Sequence, residues 1–185
     1  MHTSIALIGI LPSLSFGLAL PLQARDTSEF NITGLSATFP YPGFDGVDEV
    51  DSYVSISVSY PAPASTDGAA LSTTCRVDWA KGTDPGPTEW TPCVDTSMQF
   101  RLPADGWTND ENFRVELWED LSDGSGLDAS HILKAGPAYG GDPDAYMFCI
   151  QKGKFNPLTC DFTGPYGSTH NTVVMPTTEE STRPA

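Results

Sequence analysis

Two carboxylates beside a tryptophan form a group that could catalyse hydrolysis of a glycosidic bond. Glu116, Trp118 and Glu119 lie within the segment VELWED, and a glycosidase needs a pair of carboxyl groups beside a surface that can hold a sugar ring. In a strand, however, Glu116 and Trp118 share one face and Val115 lies on the other. We therefore interpret this segment as an outward polar face with one exposed aromatic residue, and predict no glycosidase activity.

A serine hydrolase would need a histidine next to a nucleophile. Beyond the N-terminal apolar run the sequence offers only His131 and His170, and it has no G-x-S-x-G motif. His170 falls in a predicted tail, and His131 falls in SHILK without any partner motif. We predict a structural role for His131 and no catalytic residues, and a hydrolase with an unrecognised site remains the third alternative for the function.

Acidic runs could hold calcium, which prefers hard oxygen ligands. Asp45, Asp48 and Asp51 lie in FDGVDEVD, and Asp123 and Asp128 lie in SDGSGLD. Neither run has the EF-hand pattern, and acidic loops are ordinarily solvated surface. We predict no metal and no cofactor, and assign Asp45, Asp48 and Asp51 to a candidate binding surface.

The four tryptophans could offer flat platforms to a ligand. Trp79 and Trp90 are close in sequence to cysteines, so we expect them to pack on a disulfide bond. Trp107 and Trp118 are then the expected exposed pair. They join the acidic residues as candidate binding-surface residues.

The cysteines are Cys75, Cys93, Cys149 and Cys160, and none of them has the CxxC spacing of a zinc or redox site. An oxidising secretory route makes disulfide pairing the default, with three connectivities open. We expect Cys75 to pair with Cys93 and Cys149 with Cys160, which closes two short loops, because nearby cysteines on adjacent antiparallel strands meet most easily.

Asn31-Ile32-Thr33 is an N-glycosylation sequon. If Phe30 and Ile32 face a core, strand alternation places Asn31 outward, where a transferase could reach it. We therefore predict a glycan on Asn31.

An apolar run from Ile5 to Leu20 precedes the first charged side chain, Arg25. This run is shorter than the roughly 20 apolar residues of a bilayer-spanning helix and is typical of a signal peptide. We predict a signal peptide over 1–19, with an alternative end at 24, followed by a short pro-segment or linker over 20–29. The protein is expected to be secreted, without a membrane anchor.

The charge of the chain excludes some partners. With 24 acidic and 9 basic side chains, its formal net charge is -15. Phosphate backbones and anionic lipid headgroups are therefore repelled. We expect neither nucleic acid nor a membrane as a partner.

The elements that must position these residues are β-strands. Apolar and polar residues alternate in SYVSISVSY, TTCRVDW, MQFRL and FRVELW, and the segments between strands are rich in Gly, Pro, Asp and Asn. This pattern predicts an all-β domain over 30–162, a single antiparallel β-barrel or barrel-like sandwich of about eight to ten strands with two intrachain disulfides. We favour a closed or nearly closed barrel, followed by a mostly disordered Ser/Thr/Pro tail over 163–185.

Several marks together resemble a known family. They are a PLxxR segment (Pro21 to Arg25), an early strand with Phe30 and Ile32, a first cysteine loop closed by Trp90-x-x-Cys93, and a second short cysteine loop. The chain resembles the secreted fungal β-barrel proteins typified by the major allergen of Alternaria. The resemblance implies a compact barrel, two intrachain disulfides, and an allergen-like or effector-like protein without enzymatic activity.

The sequence departs from that family in lacking an additional N-terminal cysteine, so we expect no covalent dimer. We predict a non-catalytic protein that binds an extracellular host partner, with acidic loops at the rim favouring a basic one. A carbohydrate-binding or cell-wall-associated domain, with a polysaccharide as ligand, is the alternative.

Overall fold

The computed structural model describes residues 28–40, 50–62, 69–83, 86–136, 144–153, 156–162 and 172–185. The predicted signal peptide, and Asp45 and Asp48 of the candidate binding surface, lie outside these residues. Twelve β-strands and one short 3-10 turn, Ala104–Gly106, make up the regular structure of the described part. The strands are β1 (Glu29–Phe39), β2 (Ser52–Tyr60), β3 (Leu71–Trp79), β4 (Thr91–Pro92), β5 (Met98–Arg101), β6 (Trp107–Asn109), β7 (Asn112–Asp120), β8 (Gly126–Lys134), β9 (Phe148–Gln151), β10 (Leu158–Asp161), β11 (Val173–Pro176) and β12 (Thr178–Glu180).

The strands form two six-stranded antiparallel sheets. Sheet 1 has the order β3-β2-β1-β10-β9, with β11 also pairing with β1. Sheet 2 has the order β12-β8-β7-β5-β4, with β6 also pairing with β7. The predicted all-β antiparallel class is confirmed. Among the described strands no pairing joins the two sheets, so the molecule is the barrel-like sandwich and not the closed barrel.

The period of two in the sequence produces the core. Along β2 the side chains of Val54, Ile56, Val58 and Tyr60 are at most 2% exposed, while Ser55, Ser57 and Ser59 alternate with them on the outer face. The same alternation in β3, β5 and β7 supplies inward side chains from both sheets, as expected for a sandwich.

One end of the sandwich is closed by rings from both sheets, and we call it the aromatic end. Phe39 and Trp79 of sheet 1 meet Trp107 and Phe113 of sheet 2, with ring centroids 5.1 to 6.1 Å apart. Such tilted and stacked contacts add to the burial of the rings themselves. They fix the distance between the sheets at this end.

The expected disordered tail is wrong for residues 172–185. Val173 and Met175 of β11 are fully buried in the core, and β12 pairs with β8 in the other sheet. The short apolar run of Val173, Val174 and Met175 is a strand signal, which the surrounding Thr and Pro residues obscure. The sandwich therefore extends beyond the predicted boundary at residue 162.

Candidate binding face and acidic end

The two disulfides form as predicted. Cys149 and Cys160 face each other on the paired strands β9 and β10 within sheet 1. Cys75 lies on β3 of sheet 1 and Cys93 follows β4 of sheet 2, so their bond joins the two sheets. The first disulfide therefore links the two layers of the sandwich, while the second links two strands of one layer.

The two carboxylates of VELWED point to opposite faces of sheet 2. Glu116 lies on the outer face, and Glu119 is 5% exposed and continues the inward series of Val115 and Leu117. In a glycosidase, the two carboxyl groups flank the same glycosidic bond, which side chains on opposite faces of a sheet cannot do. The two cannot act as such a pair.

Trp107 and Trp118 are not an exposed pair. Trp107 stacks on Phe113 at the aromatic end, with centroids 5.1 Å apart. Trp118 does lie on the outer face, as alternation predicts, but it is only 2% exposed. In this conformation these two rings therefore cannot stack on a sugar ring together.

The C-terminal residues of the chain lie against the outer face of sheet 2, on which Trp118 lies. We call residues 181–185 the C-terminal strap. Arg183 donates from Nη1 to Gln99 Oε1, Trp90 Nε1 donates to the carbonyl oxygen of Pro184 at 2.9 Å, and Arg101 Nη1 donates to the main-chain oxygen of Ala185 at 2.7 Å. The strap thus reaches the far side of sheet 2 from β12.

The register of sheet 2 places Trp118 beneath this path. Thr178 pairs with Asp128, Asp128 pairs with Trp118, and Trp118 pairs with Gln99. The strap leaves β12 after Glu180, which is level with Asp120 of β7, and it reaches Gln99 on β5, which pairs with Trp118. Its path therefore crosses β7 between Asp120 and Trp118. The Trp118 indole also donates to Asp120 at 2.7 Å, which satisfies its N–H under this cover.

Glu116 connects the strap to the open part of the same face. Its Oε2 accepts from Arg101 Nε at 2.6 Å, and its Oε1 accepts from Arg114 Nε at 3.0 Å. Arg114 also donates to Asp105 at 2.6 Å. The side chains of Arg101 and Glu116 are only 13% and 12% exposed, so this ion pair is well shielded from solvent.

An open cleft lies beyond the strap, where β7 and β8 approach the aromatic end. Its volume is about 590 Å³. The outer-face residues of β7 and β8, with two neighbours, line it: Asn112, Arg114, Ser130, His131, Ile132, Lys134 and Asp144. Sequence reasoning missed all of them except His131 and Asp144, which belongs to one of the acidic loops expected at the rim, although the polar outward positions of NFRVELWED and GLDASHILK are visible in the strand pattern.

His131 lies at the edge of this cleft rather than in a catalytic group. Its ring meets the Tyr146 ring edge-on, with centroids 5.2 Å apart. Burial lowers the pKa of the His131 imidazole below its ordinary value, and the Asp144 carboxylate opposes that shift only in part. The imidazole is therefore neutral at neutral pH. The neighbouring Ser130 is on the opposite face of β8 by strand alternation.

Acidic side chains from separate loops lie at the aromatic end. Asp51 precedes β2, Asp105 and Glu111 flank β6, and Asp144 follows β8 in the chain, and all four are exposed. The Ala135 N–H donates to the Glu111 carbonyl, which places the segment after β8 beside the turn between β6 and β7. Of the sequence-based binding surface, the described residues place Asp51 and Trp107 at this end, and the Trp107 ring is packed in the aromatic cluster.

Asn31 lies on the outer face of β1, between Ser59 of β2 and Val174 of β11, and is half-buried. Its flanking residues Phe30 and Ile32 are fully buried, so the predicted alternation is confirmed. Glycosylation of Asn31 stays a prediction.

Within the described residues, no group of three or more His, Cys, Asp or Glu side chains could hold a metal ion. The same residues include no helix that is long and apolar enough to cross a membrane. No protein-family model matches the chain, and no curated protein matches it.

Proposed function

We propose that the chain is a secreted, non-catalytic binding protein, effector-like or allergen-like as its resemblance to the fungal barrel proteins implies, which engages a basic extracellular partner. The observation that carries this proposal is the convergence of Asp51, Asp105, Glu111 and Asp144 at the aromatic end. Loops that meet at one end of a rigid sandwich are a common site of recognition.

Charge supports the same proposal. The chain carries 24 acidic against 9 basic residues. Lys81, Lys134 and Lys152 also lie at the aromatic end, and Asp105 is paired with Arg114, so the sign of the field there depends on the excess of carboxylates over these cations. A surface with an excess of one sign speeds association with the opposite charge, and salt screens that effect.

The two disulfides support an extracellular site of action, because such bonds form and persist under oxidising conditions. We propose that the predicted glycan on Asn31 belongs to the same secretory route. An N-glycan-removing enzyme should lower the mass of the protein secreted by a eukaryotic host. An unchanged mass would contradict the glycan.

The test is a pull-down from host extracellular fluid at low and high salt, with a matched pair of variants. Asp51→Asn with Glu111→Gln removes two charges at the aromatic end, and Glu29→Gln with Glu179→Gln removes two exposed charges at the opposite end. The first variant should capture less of a specific basic protein, with a weaker salt dependence, while the second should behave as the wild type. Equal capture by both variants, or capture of every basic protein alike, would show that the proposal is wrong.

A further inference from the structure

We propose that the open cleft on the outer face of sheet 2 binds a short, neutral oligosaccharide. This site adjoins the acidic partner surface, with which it shares Asp144 and the ion pair of Asp105 with Arg114, but it does not depend on that proposal. Its volume of about 590 Å³ lies within the range of about 300–1,000 Å³ that is usual for small-molecule sites.

The charges of the described cleft residues are balanced, and this favours a neutral ligand over a strongly charged one. Arg114 lies between Asp105 and Glu116, and Glu116 also holds Arg101. Lys134 and Asp144 add one charge of each sign to the lining. Among the described residues, these three cations match the three carboxylates, so this part of the lining offers no uncompensated charge to a polyanion or a polycation.

What the cleft does offer is a mixture of fixed donors and acceptors. Asn112 contributes an amide and Ser130 a hydroxyl, and both groups donate and accept. Arg114 uses only part of its donor capacity on its two carboxylates. Sugar hydroxyls also donate and accept at the same oxygen, so they suit this lining better than a ligand with acceptors alone.

The cleft also has an apolar wall and a fixed shape. Ile132 is 54% exposed and pairs with Arg114 in the ladder between β7 and β8. An exposed isoleucine between polar residues can pack on the C–H face of a sugar ring. Because β7 and β8 pair over nine residues, from Asn112–Lys134 to Asp120–Gly126, the lining is held on rigid strands.

The experiment titrates the isotope-labelled protein with neutral tetrasaccharides of β-1,4-glucan, β-1,3-glucan and chitin, and with tetragalacturonate as the charged comparison. One neutral tetrasaccharide should shift the amide resonances of residues 112–114 and 130–134, and tetragalacturonate should bind at least about tenfold more weakly. Asn112→Ala with Ser130→Ala should lower the affinity about tenfold, since each change removes about one hydrogen bond.

The matched control is Ser72→Ala with Thr74→Ala, two exposed polar residues on β3 of sheet 1, which should bind as the wild type does. The proposal is overturned if no neutral tetrasaccharide shifts these resonances at millimolar concentration, or if tetragalacturonate binds more tightly. It is also overturned if the shifts occur elsewhere or survive the double substitution. Capture of a basic protein should be unaffected by the cleft variant, which separates this test from that of the acidic end.

Discussion

The Tyr60 hydroxyl donates a hydrogen bond to Asp95 Oδ2 at 2.5 Å, and this bond joins the end of β2 in sheet 1 to the turn after β4 in sheet 2. Asp95 Oδ1 also accepts from the Ser97 N–H and hydroxyl, at 3.0 and 2.8 Å. Tyr60 is 2% exposed. The pair fixes the distance between the sheets at the end opposite the aromatic cluster.

Tyr60→Phe should therefore lower the free energy of unfolding by about 1–2 kcal/mol, because it removes a hydrogen bond to a charged group that is only partly shielded. Tyr53→Phe is the matched control, since its hydroxyl bonds to Ser36 at an exposed position and its loss should cost less than about 0.5 kcal/mol. Urea denaturation of the three proteins measures both values. Equal costs for the two variants would contradict the role of the Tyr60–Asp95 bond.

The same bond predicts how stability depends on pH. The Tyr60 hydrogen bond lowers the pKa of Asp95 below 3.8, so this contribution is present above that value and is lost as the pH falls through the lower folded pKa. Burial and the Asp95 bond raise the pKa of Tyr60 above 10.0, so that contribution is present below 10.0 and is lost as the pH rises further. The stability of Tyr60→Phe relative to the wild type should therefore improve at both extremes. Parallel curves of melting temperature against pH for the two proteins would contradict this.

The two disulfides should differ in their effect on stability. Their loops span 18 and 11 residues, so the chain-entropy model gives both about 3 kcal/mol. Cys75 and Cys93 are also buried between the sheets, at 0% and 6% exposure, whereas Cys149 is partly exposed at the edge of sheet 1. We expect Cys75→Ser with Cys93→Ser to lower the melting temperature more than Cys149→Ser with Cys160→Ser. The reverse order would show that the link between the sheets stabilises the fold less than the link within sheet 1.

The strands with a clear period of two could be predicted from sequence, because alternation is a local signal. The pairing of Ala37 on β1 with Cys160 on β10 could not, since nothing local specifies a partner more than a hundred residues away. The sequence favoured a closed barrel over a sandwich for the same reason: the edges of a sheet depend on long-range pairing. The sequence could not separate the sandwich from the barrel, because both architectures have the same alternating strand pattern.

The binding face shows a similar limit. Alternation placed Trp118 on the outer face correctly, but its cover is a strap from the other end of the chain, which a Ser/Thr/Pro composition does not reveal. The cleft combines outward residues of two strands with Asp144, and each is an ordinary polar residue in the sequence. The cleft could not be predicted from sequence, because only the register of β7 and β8 brings these residues together.

Gly126 of β8 should be intolerant of any side chain. A Cβ at this position would lie 2.0 Å from the Trp118 ring, closer than atoms can approach. Gly126→Ala should cost about 1–3 kcal/mol, because the ring or the strand must move. Gly34→Ala is the control, since its Cβ would meet Ser57 at an ordinary 3.4 Å. Chemical denaturation that shows equal stability for both variants would contradict the close contact between Gly126 and Trp118.

Removal of the C-terminal strap should expose Trp118 without unfolding the sandwich. A variant that ends at Glu180 keeps β11 and β12 but loses the bond that Arg183 donates to Gln99 and the bonds that Trp90 and Arg101 donate to Pro184 and Ala185. Water then reaches the outer face at Trp118, so the tryptophan emission should move to longer wavelength and acrylamide should quench it more strongly.

Trp90 also loses its bond to Pro184, so the contribution of Trp118 must be separated from that of Trp90. Trp118→Phe in the full chain and in the shortened chain provides this comparison. Most of the gain in quenching should disappear in the shortened Trp118→Phe variant, because the buried ring that the strap covers is then absent. If that variant gains as much quenching as the shortened protein with Trp118, the strap covers Trp90 and not Trp118, and the path inferred from the register is wrong.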